Sequence, residues 1–124
     1  MKRAIPILVA LTLLAIPSFA NAQANATFAT PGDAVYCNYY GPLYCWTPND
    51  GFSVYMSSYG RVTKTYASQN RDYVDDLAPI LRFGYYWKEG HGRFRCTSLS
   101  TGLTCRNARG HGWHLGRYVG YRIF

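Results

Sequence analysis

Three histidines, one carboxylate and a series of arginines are the groups in the C-terminal part of this sequence whose types could do chemistry. His91 and His111 each lie between glycines, in Gly90-His91-Gly92 and Gly110-His111-Gly112, and His114 follows three residues after His111. Three imidazoles can hold zinc and activate a water for hydrolysis. Glu89 beside His91 offers another route. A small ribonuclease needs a general base and acid, here drawn from Glu89, His91 and His111, with Arg93, Arg95 or Arg106 around the phosphate. Two features weigh against both readings. On a strand, residues three apart face opposite sides, which separates His111 from His114. Glu89 is also the only carboxylate after residue 76, so no acid stands by to orient a metal-bound imidazole. The plainer reading is turn histidines that hydrogen-bond backbone, with no metal and no cofactor expected.

The arginines form the stronger feature. Residues 77–124 carry Arg82, Lys88, Arg93, Arg95, Arg106, Arg109, Arg117 and Arg122 against Glu89 alone, whereas residues 23–76 carry three cations against five aspartates. The formal net charge of +7 therefore belongs to one half of the chain. Arg93, Arg95, Arg106, Arg109 and Arg117 make a candidate anion-binding set. Guanidinium groups grip phosphate or carboxylate bidentately, and the tyrosines add stacking surfaces. The partners this implies are an anionic envelope polymer, lipid headgroup phosphates, nucleic acid or an acidic protein. The alternative is that arginine only solubilises one side of an aromatic-rich domain. Tyr39-Tyr40, Tyr44 and Trp46 form a second aromatic concentration, which reads as hairpin packing rather than a sugar platform.

These groups must be positioned by a small exported domain. Residues 1–22 have the form of a cleaved signal peptide: Lys2 and Arg3, an apolar stretch from Ala4 to Ile16, then Ala20-Asn21-Ala22. The stretch is shorter than a membrane-spanning helix requires. Residues 23–124 are then a single domain, secreted or periplasmic in a bacterium, with no transmembrane segment and expected to be a monomer. No P-loop, dinucleotide fingerprint or zincin motif occurs.

Cys37, Cys45, Cys96 and Cys105 read as two disulfides in an oxidising compartment. Four cysteines allow three connectivities, and spacing favours Cys37–Cys45 around Gly41-Pro42 and Cys96–Cys105 around Ser100-Thr101-Gly102. Gaps of seven and eight residues are wide for zinc ligands, which argues against a metal site.

Period-two segments between turn signals predict an all-β fold, a small antiparallel barrel or sandwich of about seven or eight short strands. They cover Val35 to Tyr40, Leu43 to Thr47, Phe52 to Met56, Arg61 to Tyr66, Leu81 to Lys88, Arg93 to Ser98, a strand holding Leu103 and Cys105, and Tyr118 to Phe124. Arg71 to Leu77 is the one stretch suited to a helical turn. No internal repeat is legible.

Two end motifs and a middle element carry a resemblance. Phe28-Ala29-Thr30-Pro31-Gly32-Asp33-Ala34-Val35-Tyr36-Cys37 is similar to an opening F-x-T-P-S-G-N-I-x-C pattern. Gly102-Leu103-Thr104-Cys105-Arg106-Asn107 with Gly110-His111-Gly112-Trp113-His114-Leu115 and Arg117 is similar to a closing G-V-T-C-x-N…G-H-G-F-x-L-S-R pattern. Leu81-Arg82-Phe83-Gly84 resembles an L-x-Y-G element between them. Together they resemble a family of small secreted bacterial proteins known only as a domain of unknown function. The opening lacks one residue of the S-G-N form, Trp113 stands for Phe, Gly116 stands for Ser, and residues 46–80 are unmatched. The resemblance implies export and a disulfide-stapled β domain, and assigns no activity.

Overall fold

A computed structural model describes residues 26–48, 51–66, 78–117 and 120–124. The chain forms two antiparallel five-stranded meanders. The first runs β1 (Ala26–Ala29), β2 (Tyr36–Tyr39), β3 (Leu43–Thr47), β4 (Phe52–Met56) and β5 (Thr63–Tyr66). The second runs β6 (Tyr86–Lys88), β7 (Phe94–Leu99), β8 (Gly102–Asn107), β9 (Gly112–Gly116) and β10 (Tyr121–Ile123). A short 3-10 turn, Pro31–Asp33, links β1 to β2. The all-β class is as expected, and the architecture is a sandwich. The segments expected over 1–22 and 71–77 lie outside the described residues.

Alternation decides which side chains meet. Phe28, Cys37, Cys45 and Val54 face inward from the first sheet, and Trp87, Phe94, Cys96, Cys105 and Trp113 from the second. One side of the core is closed by rings, with Phe28 and Trp87 centroids 5.4 Å apart and Tyr39 5.6 Å from both Trp87 and Phe94. The opposite side is closed between β5 and β10. There Lys64 Nζ donates to the Tyr121 hydroxyl at 2.6 Å, and Phe52 lies 4.7 Å from the Tyr121 ring.

Both disulfides are as the spacing predicted, Cys37–Cys45 and Cys96–Cys105. Each joins directly opposed residues of adjacent strands. The sulfurs of Cys37, Cys45 and Cys105 lie within 4.8 Å of one another, so the two bridges meet at the centre of the sandwich.

One expectation is corrected. The strand expected over Leu81 to Lys88 is regular only at Tyr86–Lys88. Before it, the Tyr85 N–H bonds the Arg82 carbonyl at 3.0 Å around Gly84, whose φ of +90° a strand does not allow. The period-two pattern of Leu81, Phe83, Tyr85 and Trp87 thus spans a turn and a strand.

The two sheets also share one plan, which the sequence does not make legible. In each half, the second and third strands carry the disulfide, and the register around it is the same: Tyr36 and Trp46 flank one bridge on the outer face as Arg95 and Arg106 flank the other. The entry turns match as well. Thr30 N–H bonds the Val35 carbonyl at 2.9 Å, and Glu89 N–H bonds the Phe94 carbonyl at 3.0 Å, both across five residues.

Candidate functional site

The outer face of the second sheet is assembled by β6 to β10 from residues that alternate with core positions. One row across it runs Lys88, Arg95, Arg106, Gly112 and Phe124, set by the pairs Lys88↔Arg95, Arg95↔Arg106 and Arg106↔Gly112. Phe124 joins through reciprocal backbone bonds with Gly112 at 2.9 and 3.0 Å. The next row runs Tyr86, Thr97, Thr104, His114 and Arg122.

Three cations therefore stand side by side, and like charges directly opposed across strands repel. Aromatic rings hold the guanidinium planes in place. Arg95 lies 4.3 Å over Tyr86, Arg106 lies 4.6 Å over Phe124, and Arg122 reaches the same Phe124 ring at 5.5 Å. Gly112 presents no side chain between Arg106 and Phe124, which leaves the way across β9 open. A Cβ there would collide with the Cys105 carbonyl. No carboxylate among the described residues pairs with Lys88, Arg95, Arg106 or Arg122.

Phe124 also borders a small cleft. Arg61, Val62, His111, Ile123 and Phe124 line an open space of about 240 Å³ beside β10. Arg61 puts a cation on the border of this cleft, beside Phe124.

Glu89 and Arg93 behave differently. The Glu89 carboxylate is buried in the β6–β7 turn, where Oε1 accepts from Arg93 N–H at 2.9 Å and from Arg93 Nε at 3.3 Å. Oε2 takes Arg93 Nη2 at 3.2 Å and lies 3.0 Å from His91 Nδ1. Burial by itself would raise this carboxyl. The Arg93 side chain and backbone, then the His91 backbone and side chain, outweigh it and hold the pKa down from 4.5 to about 2. Arg93 is thus bound into a turn instead of standing on the basic row.

No known protein family, curated protein or solved structure matches this chain. The site has to be read from its own chemistry.

Of the arginines singled out by sequence, the fold brings Arg95 and Arg106 together. It ties Arg93 to Glu89, places Arg109 over Tyr59 at 5.6 Å in the β8–β9 turn, and places Arg117 over Phe83 at 4.9 Å beyond β9. The alternative catalytic groups divide between two turns: His91 and Glu89 share the β6–β7 turn, and His111 lines the cleft. His114 lies on the outer face, with Nδ1 2.8 Å from Thr104 Oγ1. The cysteines are held in their disulfides.

Sequence reasoning missed Lys88, Arg122, Phe124 and Arg61 as members of this surface. Lys88 and Arg122 were readable from alternation, since Lys88 follows buried Trp87 and Arg122 precedes Ile123, which pairs with buried Trp113. Phe124 and Arg61 carried no such signal, because pairing beside β9 brings in the first and packing between the two sheets brings in the second. Asn107 was also missed as a clamp. Its Nδ2 donates to the Ser57 and Gly60 carbonyls at 3.0 and 2.7 Å, and its Oδ1 accepts from Arg109 and His111 N–H at 2.9 and 3.1 Å. One buried amide thus shapes the β8–β9 turn and ties it to the loop after β4.

Two disulfides fit an oxidising environment. No helix among the described residues is long and apolar enough to cross a membrane.

Proposed function

We propose that this protein is an exported, non-enzymatic binding module of the small secreted bacterial family its end motifs resemble, and that the outer face of the second sheet takes an anionic partner. The row Lys88, Arg95, Arg106 supports this most directly. Its three cations are neighbours with no paired carboxylate among the described residues, and the two arginines are braced on rings. Such a row is costly in the free protein, and phosphate or carboxylate groups laid across it would offset the repulsion. Phosphate-bearing polymers, lipid headgroups and acidic proteins all present that chemistry.

The hydrolytic alternative finds less support. Glu89 is spent on holding its turn, and His111 belongs to a different turn.

The test is retention of the purified protein on immobilised polyphosphate across a salt series. Wild type should elute late and in a salt-dependent manner. The variant carrying Lys88→Gln, Arg95→Gln and Arg106→Gln should bind about tenfold or more weakly, since each lost cation removes one counterion-releasing contact. Equal retention of the two proteins, or retention indifferent to salt, overturns the reading.

A further inference from the structure

The basic rows occupy one end of the outer face, and the other end is apolar. Leu99 follows Thr97 on that face and is 42% exposed at the β7–β8 tip. Beside it lies the turn Arg82–Tyr85, which is tied to β7 by Gly84 N–H to the Ser98 carbonyl at 2.7 Å and by Ser98 N–H to the Tyr85 carbonyl at 3.0 Å. That turn projects Phe83 and Tyr85, 37% and 47% exposed. Phe83 and Leu99 therefore sit on adjacent tips and are not scattered singly, whereas Tyr85, opposite buried Ser98, falls on the side of Trp87. Gly102, Gly116 and Gly120 leave the surface next to Leu99 low. Arg117, 4.9 Å over the Phe83 ring, and exposed Arg82 rim the patch. Gly32, which precedes Asp33 in the chain, lies against the Arg117 guanidinium at this end.

We infer that this end of the sheet docks on the surface of an anionic lipid bilayer, with Phe83 and Leu99 entering the headgroup region while Lys88, Arg95, Arg106 and Arg122 meet lipid phosphates. The inference rests on the anion-binding reading and selects one source for the anion. Charge complementarity covers the cations, and the apolar tips decide between sources. A soluble polyanion is satisfied by cations alone and gives exposed Leu99 and Phe83 nothing to bury against. A bilayer interface takes up both, because aromatic rings settle at headgroup depth and arginine stems lie along apolar surface with their heads in the polar layer.

The experiment is vesicle sedimentation, run in parallel with binding to soluble polyphosphate. Wild type should bind vesicles of equimolar phosphatidylglycerol and phosphatidylcholine and leave pure phosphatidylcholine vesicles unbound. Phe83→Ser combined with Leu99→Ser should weaken anionic-vesicle binding about tenfold, the scale expected for losing two interfacial side chains, and leave polyphosphate binding unchanged. Arg95→Gln with Arg106→Gln should weaken both. A Leu99→Trp variant, altered only at an exposed position, should show a blue-shifted emission component on anionic vesicles alone. Vesicle binding by the double serine variant equal to wild type, or Leu99→Trp emission unmoved by vesicles, overturns membrane docking. Binding to polyphosphate without binding to vesicles also overturns it, points to a soluble acidic partner, and leaves the anion-binding reading standing. Binding to neither removes both.

Discussion

The two sheets are built on one plan and finished differently. Each is a five-stranded meander whose second and third strands are bridged by a disulfide. Outward-facing positions correspond one to one across the register, with Ala29, Tyr36, Trp46, Ser53 and Thr65 in the first sheet and Lys88, Arg95, Arg106, Gly112 and Phe124 in the second. In the first, the segment 78–81 runs along β1, joined through Ala29 to Pro79 and Leu81, and Ala78 packs with Ala29, Tyr36 and Trp46. Tyr36 and Trp46 are 1% and 4% exposed, whereas Arg95 and Arg106 are open to solvent. The staple and the inner face maintain the fold. The outer rows differ: one is a second core and the other is a charged surface.

Exchanging the outer rows tests this most severely. Tyr36→Arg with Trp46→Arg should cost at least about 3–5 kcal/mol, because each guanidinium would be buried without a partner. Thermal unfolding checks it, and a stable variant would show that the cover over this face is loose. Disulfide removal should come next and treat the halves alike. The loops closed are of nearly equal length, with separations of 8 and 9 residues. Replacing either cysteine pair by alanine should then cost about 2–3 kcal/mol in urea titration. A clear inequality would mean that the two bridges do not support equivalent sheets.

A smaller effect separates the entry turns. Thr30 Oγ1 accepts from Val35 N–H at 3.1 Å, where Glu89 uses an ionised carboxylate on Arg93. Glu89→Gln should cost about 1–2 kcal/mol at neutral pH, allowing for screening of Arg93 by solvent. Because the folded carboxyl is held below its ordinary value, its stabilisation is complete above about pH 4.5 and is lost as the pH falls toward about 2. Wild type and variant should converge there, whereas Thr30→Ala should show a pH-independent difference. The smallest effect belongs to the reciprocal exchange. Arg95→Tyr with Arg106→Trp should change stability by less than about 1 kcal/mol, as exposed positions do, while weakening anion binding.

Much of this was legible along the chain. Leu43 to Thr47 and Phe52 to Met56 lie between turn signals and are the strands observed. Both staples followed from spacing. The shared plan did not show, because the inner face asks only for apolar volume. Phe28 answers Trp87, Val54 answers Trp113 and Met56 answers Leu115, while only the cysteines and the pair Leu43 and Leu103 keep their identity across the two bridged hairpins. The β7–β8 tip is also one residue longer than its counterpart, which shifts any fixed period.

The candidate surface divides in the same way. Alternation placed Arg95 and Arg106 outward, since a strand has only two faces and Cys96 and Cys105 occupy the inner one. It could not separate Arg93 from them. That depended on the turn folding Glu89 back onto Arg93. It could not bring Phe124 beside Arg106 either, because those positions meet only through strand order.

The sequence by itself determined the period-two strands, the two bridges and a positively charged half, all of which depend on residues close together in the chain. Only the tertiary structure decided which cations stand together, which one is tied into a turn, and which of two equivalent faces is left open. Those outcomes depend on register and on what packs over a sheet, and both are set by contacts between residues far apart in the chain.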